Sequence, residues 1–246
     1  MTVRVDEHGS VVVVTLDRPE RRNAVDHATL RELLAVQADL AGRTPHDVRA
    51  VVLTGAPPAF SAGADLHGVE RGEFAEDLHT VLAGFGTLPV PVIAAVDGPA
   101  LGAGTQLVIA ADLRVATPGS LFGIPAARLG ICVDHWTIRR LTNEFTLPVA
   151  KGMLVGCENY DAERLHDVGA IHRLGDLEDA MAWAERLAAL APLTIATHKL
   201  GIELAEPEGD TVREFDEALE RTWASADAAE GRAAFLAKRA PNFTGD

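Results

Sequence analysis

Cations are scarce in this sequence. Lys and Arg number 22 against 36 Asp and Glu, a formal net charge of −14. A surface that wraps nucleic acid or lies on an acidic bilayer needs the opposite balance, so neither is expected as a broad partner. An anionic ligand would need its cations gathered locally. Cysteine is nearly absent: only Cys132 and Cys157 occur, too few and too poorly spaced for a disulfide framework or a metal centre. A reducing cytoplasm is the expected setting. Long hydrophobic runs are missing as well. The longest apolar stretch, residues 98–111, contains Gln106 and falls short of the ~20 residues a bilayer span requires. The opening Met1-Thr2-Val3-Arg4-Val5-Asp6-Glu7 is charged and lacks the apolar segment of a secretory signal.

Common catalytic signatures are also lacking. There is no Gly-x-x-x-x-Gly-Lys-Ser/Thr phosphate loop and no Gly-x-Ser-x-Gly nucleophile elbow. Gly102-x-Gly104-x-x-Leu107 imitates a dinucleotide fingerprint but lacks its third glycine, and no acidic residue follows in a suitable strand. The nine histidines are scattered without metal-ligand spacing. No metal and no cofactor are expected.

What is present is an α/β pattern. With 48% apolar residues the chain can bury a sizeable core. Residues 11–16, 50–54, 92–96 and 113–116 are apolar and rich in β-branched residues, and predict buried strands. Between them, Asp26 can cap a helix to about residue 42, and 76–88 and 102–111 predict further helices. A helix is expected over 136–143. From about Glu163 onward the pattern becomes mostly helical, with segments 177–190, 193–205, 212–225 and 228–238. The expected organisation is a core over 1–191 and a helical region over 192–246, the boundary falling near Pro192.

Two segments carry candidate chemistry. Phe60-Ser61-Ala62-Gly63-Ala64-Asp65-Leu66 and Asp97-Gly98-Pro99-Ala100-Leu101-Gly102-Ala103-Gly104-Thr105-Gln106-Leu107 each follow a strand. Their small residues let a ligand approach the backbone closely. The second opens a helix, whose free N–H groups and dipole favour a partial negative charge. Two amides converging on one point would stabilise a thioester enolate or oxyanion. Tightly packed ordinary loops are the plainer alternative.

These two segments, with Arg18-Pro19-Glu20-Arg21-Arg22-Asn23-Ala24, Leu129-Gly130 and Ala234-Phe235-Leu236-Ala237-Lys238-Arg239, resemble the enoyl-CoA hydratase/isomerase (crotonase) family. The resemblance spans essentially the whole chain. It implies a spiral core of ββα units and C-terminal helices that build a trimer, often paired into a hexamer. It implies a coenzyme A thioester as ligand, with the N–H groups of Ala64 and Ala103 as oxyanion donors. Ala62 matches the position whose carbonyl meets adenine, and Arg21 and Arg22 flank the pantetheine and phosphates. Ala24, Asp65 and Leu66 fall within the same ligand-binding motifs. Phe235 and Lys238 match residues that reach adenine and the ribose phosphate, commonly from a neighbouring subunit. Solvated surface charge is the alternative for Arg21, Arg22 and Lys238.

The chain departs from the family's hydratases at the acid/base pair. The first glutamate position is Gln106, an amide that cannot take a proton, and the second is Ala126. Asp134, four residues after Gly130, stands where some family isomerases and dehalogenases carry their acid; it can also simply cap the following helix. Trp136 can line an acyl tunnel, plug the water site or pack in the core. The combination is similar to a glutamate-less actinobacterial subgroup thought to bind long-chain acyl-CoA for type II fatty-acid synthesis. An acyl-CoA carrier, working beside fatty-acid synthase components, is therefore the leading expectation. An active enoyl-CoA hydratase or isomerase using Asp134 is the alternative.

Overall fold

The computed structural model describes residues 1–44, 46–67, 72–205 and 213–244. The chain runs through strand β1 (Val3–His8), β2 (Val11–Leu16), helix α1 (His27–Arg43), β3 (Ala50–Gly55), α2 (Glu73–Thr87), β4 (Val92–Val96), β5 (Pro99–Leu101) and α3 (Ala103–Ala110). It continues with β6 (Leu113–Ala116), β7 (Leu121–Gly123), α4 (His135–Phe145), α5 (Leu147–Leu154), β8 (Tyr160–Asp161), α6 (Ala162–Asp167) and β9 (Arg173–Leu174). The last helices are α7 (Leu177–Ala188), α8 (Pro192–Ala205), α9 (Arg213–Ala224) and α10 (Ala226–Leu236). The start expected for α9, Val212, lies outside the described residues.

The main sheet has the order β1-β2-β3-β4-β6-β9, antiparallel only between β1 and β2. Every residue of β2 is buried, as a parallel strand covered on both faces requires. Its side chains alternate between two cores. Val12, Val14 and Leu16 join Leu30, Leu33 and Leu82 on the side of α1 and α2, whereas Val11 and Val13 meet Ala180 and Ala184 of α7.

A second, smaller sheet holds β5, β7 and β8. Single-residue bridges extend it through Ser61↔Ala100 and Val25↔Ala64. This layer carries both small-residue segments. Helix α3 leaves it directly and is buried along its entire length, so its start is fixed from every side.

Some elements differ from expectation. Strand β1 escapes the hydrophobic pattern because it is an edge strand with Arg4, Val5 and Glu7 exposed. The helical stretch expected from Glu163 is broken by β9, which pairs with β6 through two residues and closes the sheet. Strands of two or three residues such as β5, β7 and β8 are too short to show a period. Helix α10 begins at Ala226, where Ser225 accepts from the Ala228 N–H at 3.1 Å.

A candidate ligand cavity between the two small-residue loops

The turn Pro19–Arg21 ends in Arg22 and Asn23, both left-handed with φ 49° and 55°. Asparagine tolerates this conformation, and its buried side chain fixes the turn. Asn23 Nδ2 donates to the carbonyls of Ala56 at 2.7 Å and Ala59 at 2.6 Å, and Oδ1 accepts from the Arg18 N–H at 2.9 Å. Ser61 Oγ donates to the Asn23 carbonyl at 2.8 Å. Asn23 and Ser61 thereby tie the first motif to the loop after β3.

That loop is paired on both sides. Val25 N–H donates to Gly63 O and Asp65 N–H to Val25 O, both at 2.8 Å. In this parallel pairing the Ala64 N–H points to the opposite side of the strand. Leu101 N–H donates to Ser61 O at 2.9 Å, which fixes the second loop beside the first. Gly63, at φ 103°, packs so closely that a Cβ there would lie 2.9 Å from the Leu101 carbonyl oxygen and 3.7 Å from the Ala103 nitrogen. A side chain at this position meets both strain and collision. Ala103 is the first residue of α3, so its N–H has no intrahelical acceptor. Among the described residues no acceptor takes the N–H of Ala64 or Ala103.

Both alanines open onto a mostly apolar cavity of about 950 Å³. Ala62, Leu66, Gln106, Ala126 and Asp134 also line it. Phe74, Leu78 and Leu82 of α2 form an apolar flank. The remaining wall comes from the C-terminal helices of the same chain, through Leu219, Trp223, Arg232 and Phe235. Trp223 Nε1 donates to the Cys132 carbonyl at 2.8 Å. Gly231 lets α10 sit directly on residues 126–129; a Cβ there would be 2.2 Å from Leu129 O. Phe235 thus lines the cavity of its own chain.

Asp134 caps α4: its Oδ1 accepts from the Thr137 N–H at 3.0 Å. Its Oδ2 lies 3.1 Å from His79 Nδ1, across the cavity wall on α2. Gln106 Nε2 donates to Thr137 Oγ1 at 2.7 Å. Burial works to raise the Asp134 carboxyl, but hydrogen bonds from His79 and Thr137 outweigh it and hold the group below its ordinary value. The Asp134 hydrogen bond lifts the His79 imidazole above its usual value, against partial burial. Both shifts stabilise the charged pair. The His79 contribution is present below the ordinary imidazole value and is lost as pH rises through the raised one. The Asp134 contribution is present above the ordinary carboxyl value and is lost as pH falls through the lowered one.

Other expected ligand residues lie off the cavity wall. Arg21, Arg22 and Lys238 are exposed. Ala24 spends its carbonyl on Arg18 Nη1 at 2.6 Å. Asp65 is held by Arg18 at 3.4 Å and by His67 at 3.2 Å. Burial opposes its ionisation, and the His67 hydrogen bonds and Arg18 charge hold it below its usual value. Trp136 does not face the cavity. It packs against the main core, with the centre of the edge-on His79 ring at 6.0 Å and the Arg140 guanidinium at 5.9 Å from its ring centre. Asp65 and Trp136 thus lie off the cavity wall, the first held by Arg18 and His67 and the second packed against the core, one of the roles its sequence allows. His79, Leu219, Trp223 and Arg232 were not singled out in the sequence, because an isolated histidine and an amphipathic helix carry no motif.

The family model "Enoyl-CoA hydratase/isomerase" matches residues 6–246. The chain belongs to this family. Its crotonase fold covers 100% of the chain and 99% of a solved methylmalonyl-CoA decarboxylase in complex with 2-nitronate-propionyl-CoA, at TM-score 0.91 and 26% identity. Among curated proteins, "Probable enoyl-CoA hydratase echA6" of Mycobacterium tuberculosis is 36% identical over 245 residues, 99% of each chain. The short-chain-enoyl-CoA hydratase of Clostridium acetobutylicum is 30% identical over 250 residues, 96% of this chain and 95% of the relative. Among the described residues of this crotonase, no helix is long and apolar enough to cross a membrane.

Proposed function

We propose that the chain binds a long-chain fatty acyl-CoA, with the thioester oxygen between the N–H groups of Ala64 and Ala103. On this reading it is a cytoplasmic acyl-CoA carrier beside type II fatty-acid synthesis, needs no cofactor and is not an efficient hydratase. The carrying observation is the pair of adjacent loops that presents two unaccepted amides to an apolar cavity. Such amides bind developing negative charge on an oxygen. The absence of acid/base capacity at Gln106 and Ala126 supports binding over hydration. Gln106 is further committed to Thr137. The acyl chain follows the flank of α2, and Ala62, Phe235, Arg21, Arg22 and Lys238 meet the nucleotide. A coenzyme A thioester also suits the site because a solved relative's complex holds one.

A trimer or hexamer belongs to the same proposal. Helix α8 exposes Leu193, Leu200, Ile202 and Leu204 at 74%, 60%, 63% and 71%, more apolar surface than a free helix face usually shows.

The second reading is an enoyl-CoA isomerase or hydratase using Asp134, favoured by that carboxylate's place on the wall and by the hydratase names of the two curated relatives. Calorimetry with palmitoyl-CoA, paired with turnover assays on crotonyl-CoA and longer enoyl-CoA, separates the two. Tight binding without turnover is the expected result; no binding removes the proposal, and rapid turnover favours the second reading. A sharper probe is Ala103→Pro. Proline is tolerated at the first position of a helix but has no N–H. Loss of one hydrogen bond should weaken palmitoyl-CoA binding about tenfold with the helical circular-dichroism signal unchanged.

A further inference from the structure

The cavity wall carries one continuous polar chain through otherwise apolar surroundings. It starts on α3 with Gln106, one turn after Ala103, and passes from Gln106 Nε2 to Thr137 Oγ1 at 2.7 Å. The Thr137 N–H in turn donates to Asp134 Oδ1 at 3.0 Å. It ends where Asp134 Oδ2 meets His79 Nδ1 at 3.1 Å. An ionised carboxylate only accepts, so the His79 Nδ1 must carry the hydrogen and Nε2 keeps its lone pair when the ring is neutral. Each oxygen of Asp134 already accepts one of these hydrogen bonds, which holds the carboxylate toward His79 and the start of α4. His79 has a solvent-reaching ring on the same cavity as the two outward amides.

We infer that His79 is the proton-transfer residue of this cavity and Asp134 its positioning residue, and that together they exchange the C2 hydrogens of a bound saturated acyl thioester. This rests on the acyl-thioester reading above. In the step, His79 Nε2 takes the proton from C2 and the C2–H electron pair forms a C1=C2 bond. The carbonyl π pair moves onto oxygen, where the Ala64 and Ala103 N–H groups meet it. The resulting imidazolium exchanges its proton with solvent and returns one to C2. No bond to sulfur breaks, and no oxidant or co-reactant is needed. Compared with a carboxylate such as Asp134, an imidazole titrates nearer neutral pH and is the better base for this step.

The other ionisable groups of the wall are Glu76 on α2 one turn before His79, Cys132, Glu220 on α9 and Arg232 on α10. Of these, Asp134 alone has a hydrogen bond to the His79 ring among the described residues.

The test uses the full chain with octanoyl-CoA in D2O, following loss of the C2 proton signal by NMR, with calorimetry of octanoyl-CoA alongside. Wild type should bind and exchange. His79→Gln should still bind octanoyl-CoA measurably but exchange about 100-fold more slowly. Asp134→Asn should slow exchange and move its pH midpoint downward, because the carboxylate charge that favours the protonated His79 ring is lost and the hydrogen bond to it becomes neutral. Asp134→Glu should restore part of both, which a purely structural cap would not do. Wild type that binds without exchanging, or His79→Gln that exchanges at the wild-type rate, overturns the inference. Failure of wild type to bind octanoyl-CoA and palmitoyl-CoA alike overturns the thioester reading, and the inference with it; binding of palmitoyl-CoA alone moves the exchange test to that thioester.

Discussion

Gln106→Glu combined with Ala126→Glu is expected to create crotonyl-CoA hydratase activity at least about 10²-fold above wild type. The two positions line one cavity with Ala64 and Ala103. Gln106 is 7% exposed, on a helix buried along its whole length, so a glutamate there would be held in place. Thr137 Oγ1, which now accepts from Gln106 Nε2, would turn to donate to the new carboxylate. Position 126 opens the short turn Ala126–Leu129, backed by α10, and a longer side chain there enters the cavity. Hydration needs one group to take a proton from water and another to deliver one to C2, so each single variant should gain far less than the pair. Steady-state hydration of crotonyl-CoA and a longer 2-enoyl-CoA measures this. A folded double variant that binds the thioester but stays inactive would refute the placement of these positions.

The second large effect concerns stability, far from the cavity. Lys199 of α8 is 8% exposed and donates to the carbonyls of Phe85 at 3.3 Å and Val90 at 3.0 Å and to Asp112 Oδ2 at 2.7 Å. Asp112 Oδ2 also accepts from the Val92 N–H at 2.7 Å. Burial dominates both partners: it pushes the Asp112 carboxyl up and the Lys199 ammonium down, and their attraction only partly offsets it. Removing one partner leaves the other buried and unpaired. Lys199→Met should cost about 3–5 kcal/mol, and the melting temperature should fall by roughly 10 °C in calorimetry. Lys199→Met with Asp112→Leu should recover most of that, since no charge is then stranded. A single variant as stable as wild type would show that α8 is not anchored through this pair.

The fold was legible in the sequence where burial imposes a period. The apolar β-branched runs gave β2, β3, β4 and β6, and Asp26 marked the start of α1, where it accepts from the Thr29 N–H at 2.8 Å. Strand β1 was hidden because an edge strand keeps charged residues, and β9 because two paired residues leave no pattern. In the cavity, the small-residue loops were legible because close backbone approach excludes larger side chains, as Gly63 illustrates. His79 was not. Its relation to Asp134 spans 55 residues and depends on how α2 leans on the start of α4, which no local spacing encodes. The partners of Asp65 and Trp136, Arg18 and Arg140, were hidden for the same reason, since tertiary packing sets them.

The smaller sheet joins its two outer segments by one-residue bridges at Ser61↔Ala100 and Val25↔Ala64. Residues 64 and 103 are therefore positioned by main-chain pairing and by the neighbouring Asn23 and Ser61 rather than by their own side chains, and almost any small residue at either position would present the same N–H. On the proposed reading, grip and reactivity are encoded in different parts of the polypeptide, one in peptide groups and the other in exchangeable side chains. A protein built in that way would change its chemistry, or abandon it, while its hold on the ligand survived.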